Sequence, residues 1–177
     1  LCAPGFLMMN GAMIYYVFWR RLKSGESPGA VRWGFIQRGL FLIVVQLIWV
    51  NASWGGFTRL RLGHFGIIAT IGTSMLLLIW IVTWKWQWRA LTAAVLFLVH
   101  PLLLKIPYDM DGPSHYFMQF FIDSGDFNKY PIIPWFALAV VGSVMAHFWF
   151  EAWSDPDKRA RNTVITGLSL IGLAYVV

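Results

Sequence analysis

Charged side chains and cysteine are both scarce in this chain. Only 12% of its 177 residues are Asp, Glu, Lys or Arg, about half the share that soluble proteins carry. The single cysteine, Cys2, excludes a disulfide within the chain and a cysteine-based metal site. The sequence also lacks a phosphate loop, a Gly-x-Gly-x-x-Gly fingerprint, a His-Glu-x-x-His motif and a Gly-x-Ser-x-Gly elbow. These absences exclude the enzyme classes that are read from such short motifs.

Apolar and aromatic residues are abundant instead. Hydrophobic residues make up 58% of the sequence, with 11 Trp and 14 Phe, and the mean hydropathy is +0.61. A run of roughly 20 apolar residues crosses a bilayer core as a helix. We therefore predict an all-α, polytopic transmembrane helix bundle that forms a single domain, and we expect it to be a fragment of a longer chain. About six spans are predicted, over residues 3–19, 35–50, 65–84, 90–104, 132–150 and 163–177.

Basic residues lie unequally in the loops on the two sides of the predicted bundle. Because Lys and Arg are enriched in cytoplasmic loops, the richer side is predicted to be cytoplasmic, in a bacterial inner membrane, and residues 105–131 to face outward. The net charge of +6 does not indicate nucleic acid, since the basic residues are not gathered on one solvated face. The richer side holds Arg20, Arg21, Lys23, Arg32, Arg38, Lys85, Arg89, Lys158, Arg159 and Arg161, and the other side holds Arg59, Arg61, Lys105 and Lys129.

Titratable residues gather where the predicted outer loops meet the spans. His64 begins the third span close to Arg59 and Arg61, and His115 lies in the longest outer loop with Asp111. A His is the usual general base near neutral pH, and a carboxylate can orient it. We predict His64, Asp111 and His115 as catalytic candidates, with Arg59 as a substrate-binding residue beside them. A histidine that is simply solvated at the interface is the alternative for His64 and His115.

Four polar residues lie within or at the ends of predicted spans. Asn10 either forms a hydrogen bond between helices or lines a substrate path. His100 and His147 differ in depth by roughly 16 Å at about 1.5 Å per residue, too far for two axial ligands of one haem. Ligation of a chlorophyll or haem by His100 alone stays open, and no other metal site is predicted. As substrate-binding candidates, Asn10, Asn51 and His100 are placed along a path between the two sides.

The long outer loop also carries a helical pattern. Residues 111–114 predict a helix start, and Tyr116, Phe117, Phe120 and Phe121 then recur at helical spacing on one face. A short amphipathic helix of this kind would lie on the outer membrane surface, with its rings in the headgroup region.

The fifth predicted span carries a small-x-x-x-small motif, Gly142-x-x-x-Ala146. Small residues let two membrane helices approach closely. This face is therefore expected to pack against another helix.

Several stretches, in order along the chain, resemble the multispanning membrane acyltransferase family of heparan-α-glucosaminide N-acetyltransferase. The first stretch is an apolar helix that starts with Pro-x-Phe and is followed by basic residues. The second is a helix that starts with Arg-Gly-Leu, followed by a helix that starts with Phe-Gly. The third is the sequence Tyr-Pro-x-x-Pro-Trp at the start of a helix. The matching residues are 3–11, 19–23, 38–42, 65–72 and 130–135, with Gly142 after them.

This resemblance implies acyl transfer through the bundle. Acyl-CoA would be the cytoplasmic co-substrate, and a sugar or other envelope molecule would be the acceptor outside. Arg20, Arg21 and Arg38 would attract the CoA phosphates by their charge. The family's reactive His lies in an outward segment upstream of residue 3. The alternative is a non-catalytic structural or accessory subunit of a larger membrane complex, which would pack against membrane lipids, pigment or the helices of other subunits.

Overall fold

All regular structure is helical in the part of the chain that the structure describes. The structure is a computed structural model and describes residues 2–54, 64–109, 112–153 and 155–176. The predicted all-α class is confirmed, since these residues form helices and no strand. In chain order the seven helices are α1 (Cys2–Lys23), α2 (Pro28–Val44, continued by a π-helical segment Val45–Val50 and a last turn Asn51–Trp54), α3 (Ile67–Ile81), α4 (Trp86–Leu103), α5 (Ser114–Phe121), α6 (Ile132–His147, continued by a π-helical segment Phe148–Ala152) and α7 (Pro156–Val176).

The start of α2 shows why helix bounds differ from the predicted spans. The side-chain oxygen of Ser27 accepts a hydrogen bond of 3.3 Å from the backbone N–H of Ala30, and Pro28 occupies the first helical position. Both are strong helix-start signals. The helix therefore begins at Pro28 rather than at residue 35, and Arg32 lies within it instead of in a connecting loop.

The main core lies between five helices. It combines Phe18 of α1 and Phe35 of α2 with Leu78 of α3, Ala93 of α4 and Val140 of α6. The closest helix pairs are α1 with α6, α2 with α3, and α4 with α6. The side chains of this core are small, branched or aromatic, and a few polar side chains such as Ser74 are buried beside them.

Helices α1 and α6 touch through their backbones. A Cβ atom at Gly11 would overlap the carbonyl oxygen of Ala139, and one at Gly142 would overlap the carbonyl oxygen of Met8. Only glycine permits this approach. The predicted close packing at Gly142 is confirmed.

Contacts between helices define two ends of the bundle. The Tyr15 hydroxyl lies 3.0 Å from Nδ1 of His147, so the ends of α1 and α6 meet and the two helices run in the same direction. Arg89, near the start of α4, donates from Nη1 to the carbonyl of Ser143 in α6 at 2.8 Å, so α4 runs the opposite way. The connections after α1, α3 and α6 share the end that we call the basic end. Residues 104–109 and 112–131 lie at the other end, which we call the outer end. This agrees with the predicted alternation, while the assignment of the basic end to the cytoplasm stays a prediction.

Two helices in the described residues are long and apolar enough to cross a membrane. They are the continuous helices Pro28–Ser53 and Ile132–Ala152, while Ile67–Ile81 is apolar but shorter. With 15 residues, α3 measures about 22 Å, less than the roughly 30 Å of a bilayer core. The prediction of six spans therefore goes beyond what these helices show.

The predicted outer helix is present as α5, but its four rings do not share one environment. Tyr116 and Phe117 are 58% and 61% exposed. Phe120 instead packs edge-on against Phe65, at 4.8 Å between ring centroids, and Phe121 joins the same cluster. The predicted helix is confirmed, and Phe117 contacts Phe121 at 4.8 Å between ring centroids. Phe65, two residues before α3, gives Phe120 an apolar partner that periodicity within α5 does not reveal. The burial of the four rings in the headgroup region stays a prediction.

Candidate functional site

Two buried amide side chains hold the outer loop, residues 122–131, against α5. Gln119 accepts a hydrogen bond from the backbone N–H of Phe127 at 2.8 Å. Asn128 donates to the carbonyl of Tyr130 at 3.0 Å and accepts from its N–H at 2.9 Å. Gln119 and Asn128 are 1% and 0% exposed. Because both amides are paired with backbone, the loop has a defined shape on which polar side chains can be positioned.

His64 is oriented by this loop. Its Nδ1 lies 3.1 Å from the carbonyl oxygen of Asp126, and the next residue, Phe65, donates its N–H to the carbonyl of Phe127 at 2.7 Å. A carbonyl oxygen only accepts, so this network assigns the proton of the neutral ring to Nδ1. The lone pair is then on Nε2, and this nitrogen can take a proton from a reacting group.

Of the other predicted catalytic residues only His115 lies in the described part of the chain, and it forms no hydrogen bond or ring contact with His64 there. Nδ1 of His115 lies 3.5 Å from Nε2 of Gln119, and its ring packs edge-on against Tyr116 at 5.1 Å. His115 therefore borders the same loop through Gln119, without a contact to His64. The predicted site residues Arg59 and Asp111, together with Arg61, lie outside the described residues.

A groove opens at the outer end between α4 and α6, with a volume of about 470 Å³. His100 of α4 lines it and donates from Nε2 to the carbonyl of Ile122 at 2.8 Å. This bond places the lone pair of the neutral ring on Nδ1. The helices supply apolar walls and the outer loop supplies polar residues. The lining comprises Phe97, His100, Leu104, Ile122, Asp123, Ser124, Lys129, Pro131, Pro134, Trp135 and Leu138.

Asp123 is the carboxylate of this groove, and both of its oxygens are occupied. One accepts from the Tyr108 hydroxyl at 2.8 Å and the other from the backbone N–H of Ser124 at 2.7 Å. The hydrogen bond to Asp123 is the main cause of a raised pKa of the Tyr108 hydroxyl. The sequence analysis did not select Asp123, Lys129 or Tyr108. The proline at position 101, directly after His100, and the two in Pro131-x-x-Pro134 were the signals that could have indicated a groove here.

Pro101 adds a backbone acceptor beside the groove. It lies inside α4 and has no N–H, so the carbonyl of Phe97 lacks its normal partner four residues ahead. In a membrane helix such a carbonyl needs another donor. Since Phe97 also lines the groove, the wall contains hydrogen-bonding capacity as well as apolar surface.

A buried polar cluster lies at the basic end. Arg89 is 1% exposed, and its guanidinium lies 4.4 Å from the ring centroid of Tyr15. The Nδ1 atom of His147 lies 3.0 Å from the Tyr15 hydroxyl and 2.9 Å from Oε2 of Glu151. With the bond from Arg89 to Ser143, this cluster ties together α1, α4 and α6. The sequence analysis counted Arg89 as a loop cation, and the burial that changes its role depends on contacts between helices.

The three arginines predicted to bind CoA lie in different settings. Arg21 forms a two-pronged ion pair with Glu26, at 2.7 Å from Nε and 2.6 Å from Nη2. Arg20 and Arg38 are exposed and lie over the rings of Tyr16 and Phe35, at 6.0 Å and 5.8 Å. Arg21 is therefore neutralised locally, while the charges of Arg20 and Arg38 stay accessible.

The residues predicted to line a path between the two sides, Asn10, Asn51 and His100, lie in different environments. Asn10 has a buried Nδ2 with no hydrogen-bond partner among the described residues. Asn51 donates to the carbonyl of His64 at 2.8 Å and accepts from Gln46 at 3.0 Å. His100 lies in the outer groove and His147 at the basic end, so these two histidines are at opposite ends of the bundle. In the described part of the chain, no three His, Cys, Asp or Glu side chains converge.

An all-helical bundle with two membrane-length helices and with charged clusters toward its two ends is typical of a helical membrane protein. The family comparison makes this specific. The model for "Heparan-alpha-glucosaminide N-acetyltransferase, catalytic" matches residues 1–176, so this chain belongs to that family. The family and the two apolar helices together indicate a membrane protein with an acyltransferase-like function. Comparison with curated proteins and comparison with solved structures gave no match.

Proposed function

We propose that this bundle belongs to an acyltransferase of the bacterial cytoplasmic membrane, with six spans and residues 105–131 facing outward. It moves an acyl group from acyl-CoA at the basic end to a sugar or other envelope acceptor at the outer end. The family match supports the reaction class. The separation of the basic end from the polar outer end supports a donor and an acceptor that approach from opposite sides.

The observation that carries the proposal is the hydrogen bond that orients His64. The Asp126 carbonyl holds Nδ1 at 3.1 Å, so Nε2 presents its lone pair. In the proposed role, Nε2 accepts the proton of an acceptor amine or hydroxyl while that group forms a bond to the acyl carbonyl carbon. For this step the thioester of acyl-CoA reaches the outer end through the bundle. Its C–S bond breaks there, and Nε2 passes the proton to the departing sulfur. A correctly placed base of this kind contributes about 10²–10⁴-fold in rate.

At the basic end, charge supports binding of the CoA phosphates. Arg20 is exposed at the end of α1, and Arg38 is exposed on α2, about 15 Å along the helix from Pro28. An arginine within a membrane helix normally contacts a partner or an aqueous cavity rather than lipid. We assign Arg38 and Arg20 to the donor side, and we assign Arg21 a smaller share because Glu26 pairs with it.

The test uses the protein in nanodiscs with radiolabelled acetyl-CoA and an extract of bacterial envelope as acceptor. The variant His64→Gln keeps a side chain that can donate to the Asp126 carbonyl but removes the base. We expect acyl transfer to fall by about 10²–10⁴-fold, with unchanged thermal stability. The matched variant His115→Gln shows whether the second outer histidine contributes.

Unchanged transfer by His64→Gln, at unchanged expression, would remove His64 from the mechanism. A wild-type preparation that transfers no acyl group, and that purifies only within a larger complex, would favour the accessory-subunit alternative.

A further inference from the structure

Helix α2 changes from an α-helix to a π-helix as it approaches the outer end. Over Val45–Val50 the backbone is π-helical, and the N–H of Asn51 donates to the carbonyl of Gln46, five residues earlier. In an α-helix, with 3.6 residues per turn, side chains five positions apart point about 140° away from each other. The wider π-helical turn brings them toward one side. Such a turn is rare and is often found at a functional site.

The side chains of Gln46 and Asn51 meet because of this turn. Nε2 of Gln46 donates to Oδ1 of Asn51 at 3.0 Å, and Nδ2 of Asn51 donates to the main-chain carbonyl of His64 at 2.8 Å. Gln46 and Asn51 are 3% and 4% exposed. Both ends of the Asn51 amide are therefore engaged inside the protein, which favours a supporting role over the substrate-binding role predicted from the sequence.

The backbone just after His64 leaves space for these amides. A Cβ atom at Gly66 would lie 2.7 Å from Oε1 and 2.8 Å from Nε2 of Gln46. The Gln46 amide therefore packs directly against the segment that joins His64 to the start of α3 at Ile67. Gln46 contacts this segment by packing, and Asn51 contacts it by a hydrogen bond.

The ring of His64 is held from the other side, by the outer loop. Its Nδ1 lies 3.1 Å from the carbonyl oxygen of Asp126. A ring can keep this partner only while its own main chain stays in place, and a displacement of about 1 Å is enough to disable a catalytic group. The hydrogen bond from Asn51 supplies that restraint on the main chain.

We propose that the π-helical segment of α2 positions His64, with Asn51 and Gln46 as its positioning residues. Asn51 fixes the main chain of His64, so that the ring meets the Asp126 carbonyl and the lone pair on Nε2 faces the acceptor. This inference rests on the proposed role of His64 as the base. The orientation of the ring, however, can be measured without catalysis.

The first experiment measures that orientation. The full chain, labelled with ¹⁵N at its four histidines, is placed in nanodiscs, and solid-state NMR observes the rings at about pH 8, where histidine is neutral. The signals lost in His64→Gln identify His64, and we expect its proton on Nδ1. Asn51→Leu removes the amide at similar size. It should shift the ratio of the two His64 tautomers by about fivefold, the effect of one hydrogen bond.

The second experiment tests whether Asn51 acts through His64. In Asn51→Leu the kcat of acyl transfer should fall by about 10²-fold, the effect of a misplaced catalytic group, at an unchanged KM for acetyl-CoA. In the His64→Gln background the same replacement should change kcat by less than about twofold, because the base on which it acts is absent.

Matched variants separate positioning from general effects on the bundle. Gln46→Met keeps the bond from Asn51 to His64 and removes only its buried support, so it is a milder variant in case Asn51→Leu does not fold. It should shift the tautomer ratio in the same direction, by about twofold. Gln37→Met, at an exposed position of α2, and Asn162→Leu, in α7, should both resemble the wild type.

An unchanged tautomer ratio in both Asn51→Leu and Gln46→Met would overturn the positioning role. Equal falls in kcat with and without His64 would also overturn it, since Asn51 would then only stabilise the bundle. A shifted tautomer ratio in a protein that transfers no acyl group would support the positioning of the ring and refute the proposed function. Failure of the two proposals is therefore distinguishable.

Discussion

Replacing Gly142 by alanine should separate α1 from α6. The added Cβ would overlap the carbonyl oxygen of Met8, and a backbone atom cannot move aside as a flexible side chain can. Helix α1 must therefore shift as a whole, away from the main core that it shares with α6. The matched control is Gly5→Ala in α1, where a Cβ meets nothing within 4 Å.

The size of the effect follows from two opposing contributions. An extra methyl group in a well-packed interface costs about 1–3 kcal/mol, while alanine in place of glycine stabilises a helix by up to about 1 kcal/mol. The net loss at Gly142 is about 1–2 kcal/mol, and Gly5→Ala should gain up to about 1 kcal/mol. For a chain of this size the Gly142 variant should melt about 2–8 °C below the wild type.

Thermal unfolding in nanodiscs, followed by tryptophan fluorescence, measures both variants. Gly11→Ala adds a test of mechanism, because its Cβ would overlap Ala139 across the same interface. If both methyl groups open one gap, the double variant should lose less stability than the sum of the single variants, by about 0.5 kcal/mol or more. A Gly142→Ala melting temperature equal to that of Gly5→Ala, or strict additivity with Gly11→Ala, would refute backbone contact as the cause.

Two further predictions concern the outer loop. Asn128→Ala removes the paired bonds to Tyr130. The Tyr130 carbonyl keeps the hydroxyl of Thr70 at 2.9 Å, but its N–H loses its acceptor, at a cost of about 1–3 kcal/mol. Limited proteolysis should then cut between residues 122 and 131 faster than in the wild type, and an unchanged cleavage rate would contradict this. The raised pKa of Tyr108 means that its contribution to stability is fully present below its unfolded pKa, 10.0, and is lost as the pH rises through the folded pKa. Asp123→Asn should lower the pKa of Tyr108 in an ultraviolet titration of tyrosinate, and an unchanged titration would show that the hydrogen bond to Asp123 is not the cause.

The sequence predicted those parts of the fold that depend on residues close along the chain. Scarce charge and long apolar runs were sufficient for the helical class, and the small residues around Gly142 indicated close packing. The predicted start of α2 at residue 35 is wrong, because the apolar run begins later than the helix itself, whose start signal is Ser27 and Pro28. The exposed faces of α5 could not be predicted, since the partner of Phe120 is Phe65, which is distant in sequence.

The candidate site was predictable in residue type but not in arrangement. His64 is predicted as a general base near neutral pH and His100 as a metal ligand or path residue within a span, and both lie at the outer end. The hydrogen bonds to the carbonyls of Asp126 and Ile122, which determine the nitrogen that carries the lone pair, join residues 62 and 22 positions apart. No local pattern encodes such bonds. The same reason explains why the pairing of Asp123 with Tyr108 was missed.

The backbone around His64 gives a physical reason to prefer this histidine as the base. Its own carbonyl accepts from Asn51 at 2.8 Å, and Asn51 accepts from Gln46 at 3.0 Å. Gln46 lies in the π-helical segment of α2 and is 3% exposed, so this support is buried. His64 is thus held from α2 through its main chain and from the outer loop through its ring. His115 has only a 3.5 Å approach to Gln119. A base that must accept a proton at a fixed position needs both its ring and its main chain held in place. On this ground we propose His64 ahead of His115 as the base at the outer end.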